Sequence, residues 1–381
     1  MRSDAGPPPP VASTEEPNPF LSVPGRGAYE IPVGPVHAGL TEPGHFRFSV
    51  LGQTILKLKD QLWFTHKGIE GLAEHRTPLD ALPLAERVCG DTTVGHALAF
   101  CLAIEQAYDW PVPPQAGLLR AVLLELERLY NHVADLGALC NEVGYGVPNA
   151  HALRVREQLL RLNDDVTGHR LLRGAIRPGG AHVRQLPTTG QLADIAIDVA
   201  EMVELALRSS VVVDRFTGTA ILRAAQARGI GALGYVARAS GVDIDARRDH
   251  PFHEATAHVI PVTRTQGDVL ARFLVRSGEV AASILLLVEL LRYARPGSAY
   301  HDPPRRLPGG QVSGVGLVEG WRGTIAQRVV LDPDGTIARL KIVDPSFMTW
   351  PALPVALVDT IVPDFSLTKR SFNQSYAGND L

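Results

Sequence analysis

Gly117-Leu-Leu-Arg-Ala-Val-Leu-Leu-Glu-Leu-Glu-Arg-Leu-Tyr-Asn-His-Val-Ala-Asp-Leu-Gly-Ala-Leu-Cys140 is the stretch that decides the fold class. Leu119, Val122, Leu123, Leu126, Leu129, Tyr130 and Val133 recur in it at i, i+3, i+4 and i+7, which puts them on one broad apolar face of an α-helix. Helical patterns of this kind dominate from about Gly68 to Ala294. The breaks in Arg177-Pro-Gly-Gly predict the end of one helical run. Asp268 to Tyr293 predicts another long helix, so apolar that it belongs in the core. Before the helices, His45-Phe-Arg-Phe-Ser-Val-Leu and Thr54-Ile-Leu-Lys-Leu-Lys alternate around Gly52-Gln53 and predict a β-hairpin. After them, 295–312 reads as a Pro/Gly-rich connection. Alternation at 314–319, 323–331 and 336–343, with the turn Asp332-Pro-Asp-Gly, predicts a small antiparallel sheet.

The expected fold is therefore mainly α (α+β): a hairpin over about 31–60, a helical core over about 66–295, and a small sheet and tail over about 312–381. The last twenty residues read as polar and irregular. Residues 1–28, with four prolines from Pro7, predict a disordered tail, which leaves 29–381 as a single domain. At 381 residues and 45% hydrophobic the chain can bury a sizeable core. A formal charge of −3 supplies no basic field for nucleic acid. Cys89, Cys101 and Cys140 are too few for a disulfide framework and suit a reducing compartment. No secretory leader pattern is seen. The most apolar run, Val280 to Leu291, contains Glu289 and is too short to span a bilayer, so any membrane role would come through partners.

Five groups of residues could carry chemistry. Glu86-Arg-Val-Cys89-Gly-Asp91-Thr92-Thr-Val-Gly-His96 offers one thiol and one imidazole, fewer than the roughly four ligands of a closed metal site. Its ordinary reading is a buried thiol and a hydrogen-bonded histidine at a helix start. Gly34-Pro-Val-His37-Ala-Gly-Leu-Thr41-Glu42-Pro-Gly-His45-Phe-Arg47 crowds two histidines, a glutamate and an arginine on a bent loop before a hairpin, a place suited either to proton transfer or to a polar turn. Glu125, Arg128 and His132 share one helix face, for which a solvated charged surface is the usual explanation. Arg272, Arg276, Glu279 and Ser283 interrupt the apolar run, and buried charges there would need partners and could form a proton route. His66-Lys-Gly-Ile-Glu70 adds a His/Glu pair at i,i+4. Gly229-Ile-Gly-Ala-Leu-Gly234 matches a dinucleotide fingerprint but lacks the strand before it and the acidic residue after it, so it carries no NAD site.

In order along the chain, Gly34-Pro-Val-His, Glu42-Pro-Gly-His-Phe-Arg-Phe, His66-Lys-Gly-Ile-Glu, Glu86-Arg-Val-Cys-Gly, Glu125-Leu-Glu-Arg-Leu-Tyr-Asn-His, Arg177-Pro-Gly-Gly, Ala237-Arg-Ala-Ser-Gly, Asp268-Val-Leu-Ala-Arg-Phe, Glu319-Gly-Trp-Arg-Gly, Asp344-Pro-Ser-Phe and Ser375-Tyr-Ala-Gly-Asn-Asp-Leu resemble energy-converting [NiFe]-hydrogenase large subunits. They are also similar to the complex I component that shapes the quinone pocket, the D subunit of NADH-quinone oxidoreductase. The resemblance covers about residues 31–381. It implies a nickel–iron centre held by two C-x-x-C pairs, and soft thiolates are what such a centre requires. Here Cys89 fits the first early position, Thr92 stands in the second, and the C-terminal pair is expected within Pro363-Asp-Phe-Ser-Leu-Thr-Lys-Arg-Ser371, which has no sulfur. The second loop histidine of the complex I relative falls at Thr41 and its quinone-binding tyrosine near Gly90.

The resemblance thus implies an oxidoreductase subunit active only in a complex, peripheral on the cytoplasmic side of a membrane. No cofactor or metal is expected in this chain. Its implied partners are an iron–sulfur small subunit, a protein like the C subunit of complex I, a ferredoxin-like subunit and antiporter-like membrane subunits, with a quinone as possible substrate. Electrons would reach an acceptor near Cys89, Asp91, His96, His37, His45 and Glu42. Protons would pass by His66, Glu70, Glu125, Arg128, His132, Arg272, Arg276 and Glu279. A hydrogenase with an atypical metal site and a non-catalytic structural subunit are the alternatives.

Overall fold

The computed structural model describes residues 26–36, 42–304 and 309–381. Two long helices, Pro114–Glu142 and Val269–Leu290, run through the middle. The first buries nearly all of its length, including Arg120, Glu125, Glu127, Arg128, His132 and Asp135. That corrects the expectation of a solvated charged face: Arg128 and His132 are fully buried. The helices Thr93–Tyr108, Gly146–Thr167 and Thr189–Arg208 pack around this pair. Thr189–Arg208 opens with a capping box in which Thr188 and Gln191 satisfy each other's backbone N–H.

Among the described residues, three antiparallel sheets of three strands each frame the helices. The predicted hairpin is β2 (His45–Leu51) with β3 (Thr54–Gln61), and β1 (Ala28–Val33) adds to the outer edge of β2. The predicted C-terminal sheet is β7 (Val312–Gly320), β8 (Gly323–Leu331) and β9 (Ile337–Val343). Between them lies a sheet with no clear period in the sequence: β4 (Ile176–Arg177), β5 (Gly180–Val183) and β6 (Gly297–Tyr300). Arg177-Pro-Gly-Gly is therefore the turn between β4 and β5 rather than a helix end. The helix before it stops earlier, at Gly168 in the left-handed conformation. Part of the expected connection 295–312 is the strand β6.

Two hydrophobic clusters result. One joins the long helices to β7–β9; the other joins β2–β3 to Tyr235, Trp321, Trp350 and the C-terminal segment. The tail that read as irregular forms the helices Phe365–Phe372 and Tyr376–Asp380, broken at Asn373 in the left-handed conformation. The predicted disordered tail falls almost wholly outside the described residues.

Strand β7 lies directly on the helix Thr93–Tyr108. A Cβ added at Gly316 would stand 1.9 Å from the Ala99 carbonyl oxygen, and one at Gly314 2.0 Å from that of Ala103. Backbone meets backbone there, so neither surface can yield by rotating a side chain. Gly316→Ala is expected to destabilise the chain by about 3 kcal/mol or more, the upper end of overpacking. Thermal unfolding checks this; a loss below about 1 kcal/mol would mean that the strand and helix can separate freely.

Candidate functional site

The loop between the helices Pro78–Ala85 and Thr93–Tyr108 carries Cys89, Asp91 and Thr92 to the start of the second helix. Cys89 is 4% exposed. Its Sγ–H donates to Asp91 Oδ1 at 3.0 Å, and the Ser375 hydroxyl lies 3.0 Å from the same sulfur. Arg322, from the β7–β8 turn, closes the group: Nη1 and Nη2 donate to the two Asp91 oxygens at 2.6 and 2.8 Å, and Nη1 also lies 3.5 Å from the sulfur. The Arg322 Nε donates to the Asn373 carbonyl, and its guanidinium lies 3.9 Å over the Trp321 ring. Thr92 donates to Asp91 Oδ1 and accepts from the Trp321 indole N–H. Tyr130 and Asn131 hold the Asp91 carbonyl.

This geometry corrects the position expected for the C-terminal pair. Segment 363–371 sits elsewhere, where the Ser371 hydroxyl accepts from Arg272 at 2.9 Å. The residue facing Cys89 is Ser375, and three positions on is Gly378, the spacing of a C-x-x-C pair. Ser375 caps the last helix by accepting from Gly378 N–H. A Cβ at Gly378 would meet the Asp344 carboxylate at 2.6 Å, so a side chain at the fourth position would force Asp344 to move. The four positions thus hold Cys89, Thr92, Ser375 and Gly378. Burial, with the Asp91 carboxylate next, pushes the Cys89 thiol up to about 12. A donor set of one thiol and two hydroxyls does not fit a nickel–iron centre, which needs soft thiolates to bind and bridge the metals.

Asp344 joins this site to the next layer. It caps the helix Pro345–Thr349 by accepting from Ser346 N–H, and its other oxygen lies 2.9 Å from His96 Nε2. The Gln327 side-chain amide donates to the His96 carbonyl at 3.0 Å and faces His96 Nδ1 at 3.2 Å. Nδ1 therefore faces a donor, and Nε2–H donates to Asp344. His96 thus stands behind Asp344 and does not touch Cys89.

The loop residues gather on the last helix instead. Glu42 accepts from Ala377 N–H at 3.3 Å, and His66 Nδ1–H donates to the Asp380 carbonyl at 2.9 Å. His45 donates to the Gly34 carbonyl at 3.1 Å. Glu70 accepts from Lys341 and from Ile342 N–H, which is structural pinning of β9. His37, like Thr41, lies outside the described residues. A cavity of about 480 Å³, lined by Trp63, His66, Asp344, Phe347 and Gly378, opens beside the site. A larger cleft, of about 920 Å³, lies away from it, by Trp110, His250 and Val315.

Behind Trp321 the charges of both helices converge. His132 donates to Glu279 at 2.8 Å, and its ring packs edge-on against Trp321 and Tyr235. Arg128 donates to Glu125 at 3.2 Å. Arg238, Asp245, Arg247 and Glu319, which the sequence reading did not nominate, complete the cluster: Arg238 bridges Glu279 and Glu319 at 2.8 Å each, and Arg247 bridges Glu125 and Asp245. Arg276 pairs with Asp135 at 3.1 Å, and Asn373 links Asp135 to Arg322. Arg272 donates to the Gly267 and Ala220 carbonyls and Ser371, a structural role. Gly229–Gly234 is structural too: Gly234 has a φ of +61°, and a Cβ there would lie 1.9 Å from the Arg322 carbonyl.

Two family models match adjacent parts of the chain. The nickel-dependent hydrogenase model matches residues 67–140, and the 49 kDa subunit of respiratory-chain NADH dehydrogenase matches 142–311. The carbon monoxide-induced hydrogenase of Rhodospirillum rubrum is 30% identical over 355 residues, which cover 91% of this chain and 97% of the relative. The chain belongs to the family of hydrogenase large subunits and complex I 49 kDa subunits. Another member, the D subunit of the NADH-quinone oxidoreductase of Dehalococcoides mccartyi, is 30% identical over 87% of this chain and 92% of its own length. Formate hydrogenlyase subunit 5 of Escherichia coli is 31% identical over 92% of this chain, which spans 62% of that relative's length. The family fold is shared with a chain of an archaeal membrane-bound sulfane sulfur reductase, at a TM-score of 0.83, covering 93% of this chain and 99% of that one at 24% identity. No helix among the described residues is long and apolar enough to cross a membrane.

Asp91 sets an acid limit on the site. Burial opposes its charge, but the Arg322 guanidinium and the hydrogen bonds from Arg322, Cys89 and Thr92 hold the carboxyl down at about 2, against 3.8 ordinarily. A depressed carboxyl stabilises the fold above its unfolded pKa, and the contribution disappears as pH falls through the folded value. Stability is therefore expected to drop between about pH 3.8 and pH 2. The Asp91 side chain is 37% exposed, so solvent screening reduces the effect to roughly 1 kcal/mol. Asp91→Asn should flatten this limb of the stability–pH curve; an unchanged limb would show that the pair is not responsible.

Proposed function

We propose that the chain is a peripheral subunit of a membrane-associated, complex I-like or hydrogenase-like oxidoreductase that works without nickel and iron. It takes electrons from an iron–sulfur partner protein and passes them to a quinone or another acceptor at the Cys89–Asp91–Arg322 site. The observation that carries this is the donor set: one thiol, two hydroxyls and a glycine stand where the family's four thiolates would be. In their place is an ionised carboxylate clamped by a guanidinium, with the 480 Å³ cavity one residue away behind Asp344 and Gly378.

In this reading Arg322 presents positive charge to an acceptor that gains electrons, and such fixed charge needs no rearrangement as the acceptor is reduced. Asp91 keeps the guanidinium in place. Protons come from the buried cluster of Glu125, Arg128, His132 and Glu279, with Arg276 and Asp135 as a second branch. Electron supply and ion translocation belong to the iron–sulfur and ferredoxin-like partners, the partner resembling the C subunit of complex I, and the antiporter-like membrane partners.

The test is metal analysis of the purified complex together with turnover of site variants. We expect no stoichiometric nickel, and donor–acceptor turnover that falls about 10²-fold in Arg322→Met, the scale for loss of one preorganised charge. Stoichiometric nickel would overturn the reading in favour of a hydrogenase. Full turnover in Arg322→Met and in Cys89→Ala, His96→Ala and Glu42→Ala would leave only a structural subunit.

A further inference from the structure

The buried cluster behind Trp321 does not balance its charges. Its carboxyl groups are Glu125, Asp245, Glu279 and Glu319; its guanidiniums are Arg128, Arg238 and Arg247. All seven are at most 4% exposed. The neighbouring arginines are already committed, Arg276 to Asp135 and Arg322 to Asp91. Glu127 points away, to the N-terminus of the helix Thr93–Tyr108, where it accepts from Val94 and Gly95 N–H. A lone negative charge at this depth would be very costly, so one proton must be held in the cluster.

His132 is the obvious place and the wrong one. It meets Glu279 through Nε2, which a neutral ring can donate. Its Nδ1 is buried with no partner among the described residues. An imidazolium would put a second N–H there with nothing to accept it, which costs more than an idle acceptor. The proton therefore belongs on a carboxyl.

The carboxyls differ in their partners. Glu125 faces two guanidiniums, Arg128 and Arg247, and a Ser283 hydroxyl. Asp245 takes Arg247 on both oxygens and lies 3.6 Å from Arg238. Glu279 faces Arg238, Arg128 at 3.7 Å and the His132 N–H. Glu319 has one guanidinium, Arg238, on Oε1; its Oε2 faces the Ala246 N–H and the Thr324 hydroxyl at 2.8 Å. Thr324 is also the one hydroxyl in the cluster that is only part-buried. A hydroxyl can accept as readily as donate, so a proton on Glu319 Oε2 has an acceptor in place and a way out to solvent.

We infer that Glu319 is a protonated carboxylic acid at neutral pH and the proton-loading group of this cluster, exchanging through the Thr324 hydroxyl. Burial and the Asp245 carboxylate beside it raise Glu319 above the ordinary glutamate value, in the same direction. Burial lowers His132, which keeps that ring neutral. The functional weight comes from position: Glu319 and Arg322 lie on one tight turn, with Arg128 donating to the Glu319 and Gly320 carbonyls. Charge arriving at the Arg322 side and a proton held at the Glu319 side are thus joined through three residues of backbone. This deepens the proposed redox role, but the proton can be read without turnover.

Infrared spectroscopy of the full chain in its native complex tests the inference. At pH 7 we expect the C=O stretch of a buried protonated carboxylic acid. It should shift in D2O, shift again when glutamate is labelled with carbon-13, and vanish in Glu319→Gln. Thr324→Val should move the same band, because it removes the acceptor, and should slow its exchange in D2O. This second variant alters a part-exposed side chain, so it keeps the test decisive if Glu319→Gln does not fold. A wild-type chain with no such band, or a band that neither substitution alters, would overturn the assignment. A wild-type complex that shows the band but has no donor–acceptor turnover would instead count against the redox reading alone.

Discussion

Arg238→Met is expected to cost about 3–5 kcal/mol, the range for removing one partner of a buried ion pair. Arg238 has no exposed surface and serves three carboxyls: Glu279 and Glu319 at 2.8 Å and Asp245 at 3.6 Å. With it gone, Glu279 keeps only His132 and a distant Arg128, and Glu319 keeps only a backbone N–H and a hydroxyl. Methionine fills much of the volume, so the loss reports charge rather than a cavity. A domain has about 5–15 kcal/mol in hand, so the variant should unfold at much lower denaturant and fall in yield. Arg238→Lys should recover part of the loss, because an ammonium cannot present the planar fork that reaches two carboxylates at once. Chemical denaturation of the purified protein checks both. A methionine variant within about 1 kcal/mol of wild type would mean that the cluster contributes no net stability.

The sequence reveals some of this cluster and hides the rest for a physical reason. Arg276 and Glu279 interrupt an apolar run, and a charge that breaks a hydrophobic pattern announces a buried partner. Glu125, Arg128 and His132 carry the opposite signal: three polar residues on one face look solvated until another element covers them. What covers them is Arg238 and Arg247, more than a hundred residues away in short segments with no strong period, and Glu319, which the alternation of β7 gave no reason to pair with them. The C-terminal segment fails in the same way. Ser371, Gln374, Ser375 and Asp380 read as surface, yet all are under 9% exposed, because each meets a specific donor or acceptor rather than water. Strands β7–β9 and the hairpin were readable because their alternation is local. β4–β6 were not, since two to four residues with glycine at the crossing leave no pattern to find.

The same close packing decides whether the family's metal site can be rebuilt here. A variant carrying Thr92→Cys, Ser375→Cys and Gly378→Cys restores four cysteines at the right spacing. It is nevertheless expected to bind no stoichiometric nickel and to lose about 3–5 kcal/mol, most of it from Gly378→Cys alone. The new Cβ would stand 2.6 Å from the Asp344 carboxylate. Asp344 has little room to retreat, for it holds His96 on one oxygen and caps the helix Pro345–Thr349 with the other. Moving it leaves a fully buried histidine without its anion and a helix without its cap. Shortening Asp344 to serine would relieve the clash and still leave His96 unpaired, so relief in one place reappears as loss in the next. Nor would the thiols ionise readily, since Asp91 stands among them and its charge opposes thiolates. Thermal unfolding of each single variant and metal analysis of the triple variant separate the two effects. Full nickel loading in a stable triple variant would show that the site has room for the centre after all, and that the three missing thiols alone keep it out.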